Sequence, residues 1–185
     1  MNRINKIQVE AATLKAFEAI TARKKIAIFA VLITLSVYVP TLIHSQIITG
    51  SLVNMALILS TSLLGPYIAL IIGLLPSSFA ALSGLLPAPL MPMIPFIMIS
   101  NAILVIVFFY VSKKNTLGAV FSAAFLKFAF LFASGSLITS FFLSNEQVAA
   151  LVGSMMGWMQ FLTASIGGIS ALLILKAVEK TRVLE

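Results

Sequence analysis

The sequence predicts an all-α membrane protein: six transmembrane helices, both termini cytoplasmic, and an N-terminal amphipathic helix ahead of the first span. Three observations carry this. Of the 185 residues, 61% are hydrophobic and 9% charged, with a mean hydropathy of +1.14, whereas soluble domains are about half apolar and about a quarter charged. The apolar residues fall into long continuous runs, not the short alternating segments of a membrane barrel. Finally, the basic residues gather at one side of those runs.

In chain order the spans run over 26–43, 47–64, 67–86, 93–111, 116–143 and 147–178. Each is near the roughly 20 residues that cross the hydrocarbon core; the last two are longer and should tilt, kink or project. Arg3, Lys6, Lys15, Arg23, Lys24 and Lys25 precede span 1, Lys113 and Lys114 join spans 4 and 5, and Lys176, Lys180 and Arg182 close the chain. An even number of spans puts all three groups on one side, which the positive-inside rule makes cytoplasmic. The intervening loops at 44–46, 87–92 and 144–146 hold no Lys or Arg. Three regions result: a cytoplasmic amphipathic segment over 1–25, a six-helix transmembrane domain over 26–178, and a cytoplasmic tail over 179–185.

Before span 1, Ile4, Ile7, Ala11, Leu14, Phe17 and Ile20 recur at steps of three and four. That period predicts a helix lying on the inner membrane surface or extending span 1. The apolar run comes too late for a cleaved signal peptide. All seven prolines lie between positions 40 and 95. Gly65-Pro66 predicts a tight turn between spans 2 and 3, and Pro76 a kink within span 3 beside Ser77 and Ser78. Residues 86–95 predict a stiff, extended outer loop that serves as a lid or a plain connector. In span 6, Gly153 with Gly157 and Ala164 with Gly168 suit close helix packing.

Several kinds of chemistry lack their residues. The chain has no cysteine and one histidine, so no metal site is expected, nor any cofactor. It has no phosphate-binding loop of the G-x-x-x-x-G-K-[ST] type. None of the five carboxylates lies mid-span, which removes the usual relay of ion-coupled carriers. His44 at the membrane edge is poorly placed to activate Ser134 or Ser136, and no catalytic residue is assigned.

Lys127 is the most informative position. It lies about ten residues, or about 15 Å, into span 5, near mid-membrane, where a lysine is costly unless it snorkels, pairs or faces a wet cavity. Ala123, Ala124, Leu131 and Ser134 share its helical face, and no intramembrane acid is available to pair with it. Two readings stay open: Lys127 snorkels inward, or it contacts an anionic group of a ligand. Asn54, Asn101 and Gln160, the last near the single Trp158, either bond between helices or face that ligand. His44 and Gln46, in the first outer loop, read as solvated residues within reach of an outward-opening pocket.

The stretch Ile48-Thr49-Gly50-Ser51-Leu52-Val53-Asn54, followed by Leu64-Gly65-Pro66-Tyr67 and a small-residue helix to Pro76, resembles the substrate-binding S components of energy-coupling factor (ECF) transporters. So do the chain length, the six spans and the Pro-rich outer loop. The resemblance implies a multi-pass protein of the cell membrane that captures a small vitamin-like micronutrient. Partnership with a membrane T component and two ATP-binding subunits is implied too, with no nucleic acid involved. It places the substrate in the outer half, in a region that holds Phe96, Asn101 and Trp158 and is reachable from His44 and Gln46, with Gln160 and Lys127 deeper; Asn54, a polar residue on span 2, and Ser134, on the face of Lys127, complete the expected substrate-binding set. It also places the T component against an alanine-x-x-x-alanine surface on helix 1, to which Ala27-x-x-x-Val31 and Ala30-x-x-x-Thr34 are imperfect matches. Lys127 favours an anionic substrate. The alternatives are a stand-alone small carrier or channel, and a non-transporting membrane scaffold.

Overall fold

The computed structural model describes residues 21–43, 45–84, 88–142 and 146–183. Most of the expected amphipathic segment, together with His44, lies outside the described residues. Helix α1 is Thr21–Leu42, α2 Gln46–Leu63, α3 Pro66–Leu82, α4 Ile94–Val111 and α5 Thr116–Phe142. Helix α6 is Glu146–Met156 and α7 Trp158–Val183. There is no strand among the described residues.

By length and apolarity, five helical stretches can cross a membrane: Thr21–Leu42, Gln46–Leu63, Met91–Val111, Thr116–Ser140 and Ala149–Lys180. Helix α3, at 17 residues, spans about 25 Å and is the short member. Its expected end at Leu86 comes early because Ser83 caps it and Gly84 turns the chain away at φ 69°. Its start matches the expected turn: Gly65 adopts φ 96°, open to a residue without Cβ, and Pro66 begins the helix where a missing N–H costs nothing.

Three features depart from the expected regular spans. Span 6 is interrupted at Gly157, so it becomes α6 and α7. A Cβ on Gly157 would lie 2.6 Å from the Gly153 carbonyl oxygen, and a Cβ on Gly153 would meet nothing within 4 Å. That pair therefore makes the break and not a packing surface. In α1 the segment Thr34–Tyr38 is π-helical, with the Val39 N–H donating to the Thr34 carbonyl. Pro40 follows directly; lacking an N–H, it cannot bond the Ser36 carbonyl, and the wider turn absorbs the misfit. Residues Ala88–Met93 form a 3-10 helix, not the expected extended loop. Proline's fixed φ fits either conformation, and Pro89, Pro92 and Pro95 recur at the 3-10 period of three.

The core is built from the inward stripes of α2, α4, α5 and α7. Leu57 and Ile58, Leu104 and Val105, Ala119 to Ala124 at steps of one and three, and Ala164 with Ala171 are all sealed from the surface. Helices α2 and α7 approach closely at Gly167, where a Cβ would collide with the Ser51 carbonyl oxygen and lie 2.8 Å from the Met55 nitrogen. Gly168 similarly admits Val120 of α5. Large apolar side chains such as Val31, Tyr67, Leu82, Phe125 and Leu173 point outward, as a bilayer permits and water would not. Helix α1 is peripheral, with 11% of its most apolar window buried.

Candidate functional site

Three helices each place one long polar side chain on a mostly apolar inward stripe. On α2, Asn54 precedes Leu57, Ile58 and Thr61 at steps of three, four and seven; on α4, Asn101 precedes Leu104, Val105 and Phe108 likewise. On α5, Lys127 lies between Val120, Ala123, Ala124 and Leu131. The helical period turns all of these toward the core. Lys127, Asn54 and Asn101 are 3%, 1% and 2% exposed, so Lys127 does not snorkel.

They meet. Lys127 Nζ donates to Asn54 Oδ1 at 2.6 Å and to Asn101 Oδ1 at 2.7 Å, short distances typical of charge-assisted bonds. The asparagines are anchored in turn: Asn101 Nδ2 donates to the Gly73 carbonyl of α3 at 2.8 Å, and Asn54 Nδ2 to Thr163 Oγ1 of α7 at 3.5 Å. One connected network thus ties α2, α3, α4, α5 and α7 together. Removing an ion from water costs several kcal/mol, and two neutral carboxamides offset only part of that for an ammonium with three donors. Of the described carboxylates, Glu146 begins α6, Glu179 lies near the end of α7, and both are exposed.

A cavity of about 190 Å³ borders the network. Its wall comprises Lys127, Asn54 and Asn101 with Pro40, Thr49, Gly50, Val53, Pro76, Ser77, Ala80, Ile97 and Gln160. These residues lie late in α1 and α3 and early in α2, α4 and α7, which fixes the cavity at the end of the bundle opposite Lys113 and Lys114. Irregular positions in three parts of the helix bundle lie beside it. Pro40 adjoins the π-helical turn, and Pro76 deprives the Ile72 carbonyl of its helical N–H. Across the Gly157 break, the Met155 carbonyl accepts from Gln160 Nε2 at 2.8 Å and from Gln46 Nε2 at 3.0 Å. Irregular backbone at membrane depth occurs where it is buried in protein or lines a cavity.

The remaining expected residues are placed as follows. Gln46 is not loosely solvated: its bond to Met155 pins the start of α2 to the α6–α7 break. Gln160 lines the cavity. Trp158 does not, because two helical residues differ by about 200° in direction; it is 65% exposed and packs its ring 4.8 Å from Phe161 and 5.8 Å from Phe128. Phe96 belongs to a separate apolar cluster with Met93, Leu131, Val152 and Met156. Ser134 lies one further turn pair along α5, and its hydroxyl is used within the helix, donating to the Phe130 carbonyl at 2.7 Å. Ala27, Ala30, Val31 and Thr34 are all exposed along α1. Sequence reasoning did not assign Thr49, Pro40 or Ser77 to the site, although the prolines inside helices were a signal for the latter two.

A larger hollow, about 460 Å³, lies between the start of α5 and the end of α7. None of its lining residues is buried, so it lacks the convergent enclosed polar groups of a ligand site.

No curated protein and no solved structure matches the chain. Residues 24–179 match the family model described as ECF transporter, substrate-specific component. That match spans α1 to α7 and includes every residue of the cavity, and the chain belongs to this family of membrane substrate-binding subunits of transporters.

Proposed function

We propose that the chain is the capture subunit of an ECF-type importer of the cytoplasmic membrane, taking a small, anionic, vitamin-like micronutrient from the outer side. The observation that carries this reading is the Lys127 ammonium, buried at the cavity wall and held by two neutral oxygens. Its charge is uncompensated, so an anionic ligand gains attraction that water would screen away. Asn54, Asn101 and Gln160 join Lys127 at the cavity wall with Thr49 and Ser77, and Gln46 holds the start of α2 to the α6–α7 break; His44, outside the described residues, is a contact proposed from the sequence. Phe96, Ser134 and Trp158 act on the ligand only through the helices that carry them.

Orientation follows the basic residues: the termini and Lys113–Lys114 face the cytoplasm, and the cavity lies in the outer half. Inward release requires a membrane T component and two ATP-binding subunits, since the chain has no nucleotide loop and no mid-span acid. The exposed α1 surface of Ala27, Ala30, Val31 and Thr34 is where the T component docks. The test is reconstitution. Co-purification with a T component and two ATPases, and uptake that requires ATP and all four proteins, is the expected outcome. Concentrative transport by this chain alone overturns the reading.

A further inference from the structure

We infer that the cavity holds a carboxylate subsite built from hydrogen-bond donors, with Ser77 as the second contact after Lys127 and a single negative charge as the limit on the ligand. This rests on the cavity being the capture site and names what that site accepts.

Lys127 orients its neighbours. Both carboxamide oxygens, of Asn54 and Asn101, are committed to the ammonium, so the acceptor ends of the amides are not offered to a ligand. An ammonium has three N–H donors, two are used, and Lys127 is part of the cavity wall.

Ser77 supplies the independent observation. It is 7% exposed, lines the cavity, and its hydroxyl has no hydrogen-bond partner among the described residues. A helical serine ordinarily donates to the carbonyl three or four residues back, as Ser78 and Ser83 do here, to Leu74 at 2.9 Å and Phe79 at 2.7 Å. For Ser77 those acceptors are Leu74 and Gly73. The Leu74 carbonyl already accepts from Ser78, and the Gly73 carbonyl from Asn101 Nδ2 at 2.8 Å. The network that holds Lys127 therefore also releases the Ser77 hydroxyl. The Ser77 hydroxyl thus stands at the cavity wall without a partner among the described residues, and a ligand oxygen there can accept from it.

A carboxylate is acceptor-only, with two oxygens to share between an ammonium and a hydroxyl. One lysine balances one charge, so a phosphate dianion leaves a surplus negative charge in an apolar enclosure, and an amine is repelled. Val53, Ala80 and Ile97 leave the rest of the ligand an apolar wall. The volume of about 190 Å³ is below the roughly 300 Å³ at which pockets for drug-sized molecules begin. The class is a small monocarboxylate with an apolar body.

The full chain in lipid nanodiscs, labelled with 15N at lysine Nζ, is titrated with benzoate, benzamide and benzylamine. Benzoate is expected to shift the Lys127 resonance saturably at millimolar concentration, benzamide at least tenfold more weakly, and benzylamine not at all. Ser77→Ala weakens benzoate by about tenfold or more, the range of one hydrogen bond to a charged group, and leaves benzamide unchanged. Asn54→Asp is isosteric and sacrifices only the 3.5 Å contact to Thr163; it neutralises Lys127 in place and abolishes the benzoate preference in a folded protein. Equal or tighter binding of benzamide or benzylamine, absence of a saturable benzoate shift, or an unchanged benzoate affinity in Ser77→Ala overturns the inference. A neutral molecule retained through purification, with ATP-dependent uptake intact, overturns this assignment alone, whereas transport without partners overturns the capture reading beneath it.

Discussion

On the N-terminal side of Lys127, α5 turns Ala119, Val120, Ala123 and Ala124 inward, and Gly168 of α7 makes room for Val120 and for Ile58 of α2. On the other side the same helices diverge around a cavity, and α1, α3 and the α6–α7 pair each lose regularity beside it. The contrast is between a dry half, where small residues bring backbones together, and a half in which prolines and a glycine break keep them apart. A chain of this size can hold a cavity beside Lys127 because the core on the other side is close-packed, the hollow between the start of α5 and the end of α7 lying outside that core.

The largest effect should separate the two uses of glycine. Gly167→Ala drives a Cβ into the α2 backbone at Ser51 and Met55, which a side-chain movement cannot relieve; a loss of about 3 kcal/mol or more is expected, read as reduced thermal stability and folded yield. Gly153→Ala, with open space at its Cβ, should be neutral or stabilising by up to about 1 kcal/mol. Asn101→Leu comes next. It removes an acceptor from Lys127 and a donor from Gly73, so we expect about 2 kcal/mol of destabilisation and more than tenfold weaker binding of the retained molecule in a competition assay. Pro76→Ala restores an N–H for the Ile72 carbonyl. Ligand affinity should fall several-fold while thermal stability is maintained or raised, a trade that a purely structural proline would not show.

The smallest effects concern the surface. Trp158→Ala should change ligand affinity by less than about twofold, the scale of an exposed substitution, as measured by equilibrium binding. The pair Ala27→Leu and Thr34→Leu on α1 should leave binding by the isolated chain unchanged while reducing recovery of the T component in co-purification.

Much of this contrast was legible in the sequence. Continuous apolar runs gave the helices, and Lys127 stood out because a charge at mid-span has few tolerable environments. Asn54, Asn101 and Gln160 were visible singly as polar residues on apolar stripes. Their meeting was not, since helical periodicity fixes which way a residue faces but not which helix lies opposite. Trp158 lies at the depth the resemblance implies, but two residues from Gln160 on a helix it faces nearly the opposite way. Ser77 was hidden for a different reason: a helical serine normally satisfies itself, and only the bond from Asn101 to Gly73 shows that this one cannot. The π-helical turn in α1 and the break at Gly157 depend on how neighbouring helices fit, which no local pattern encodes.

The most direct test is to identify the small molecule retained by the natively purified chain by mass spectrometry, and to measure its affinity for the wild type, Lys127→Met and Asn54→Asp. The account predicts a small anionic molecule whose affinity falls at least a hundredfold, about 2.7 kcal/mol, in both variants, with Asn54→Asp still folded. A retained molecule that binds either variant as tightly as the wild type would contradict it.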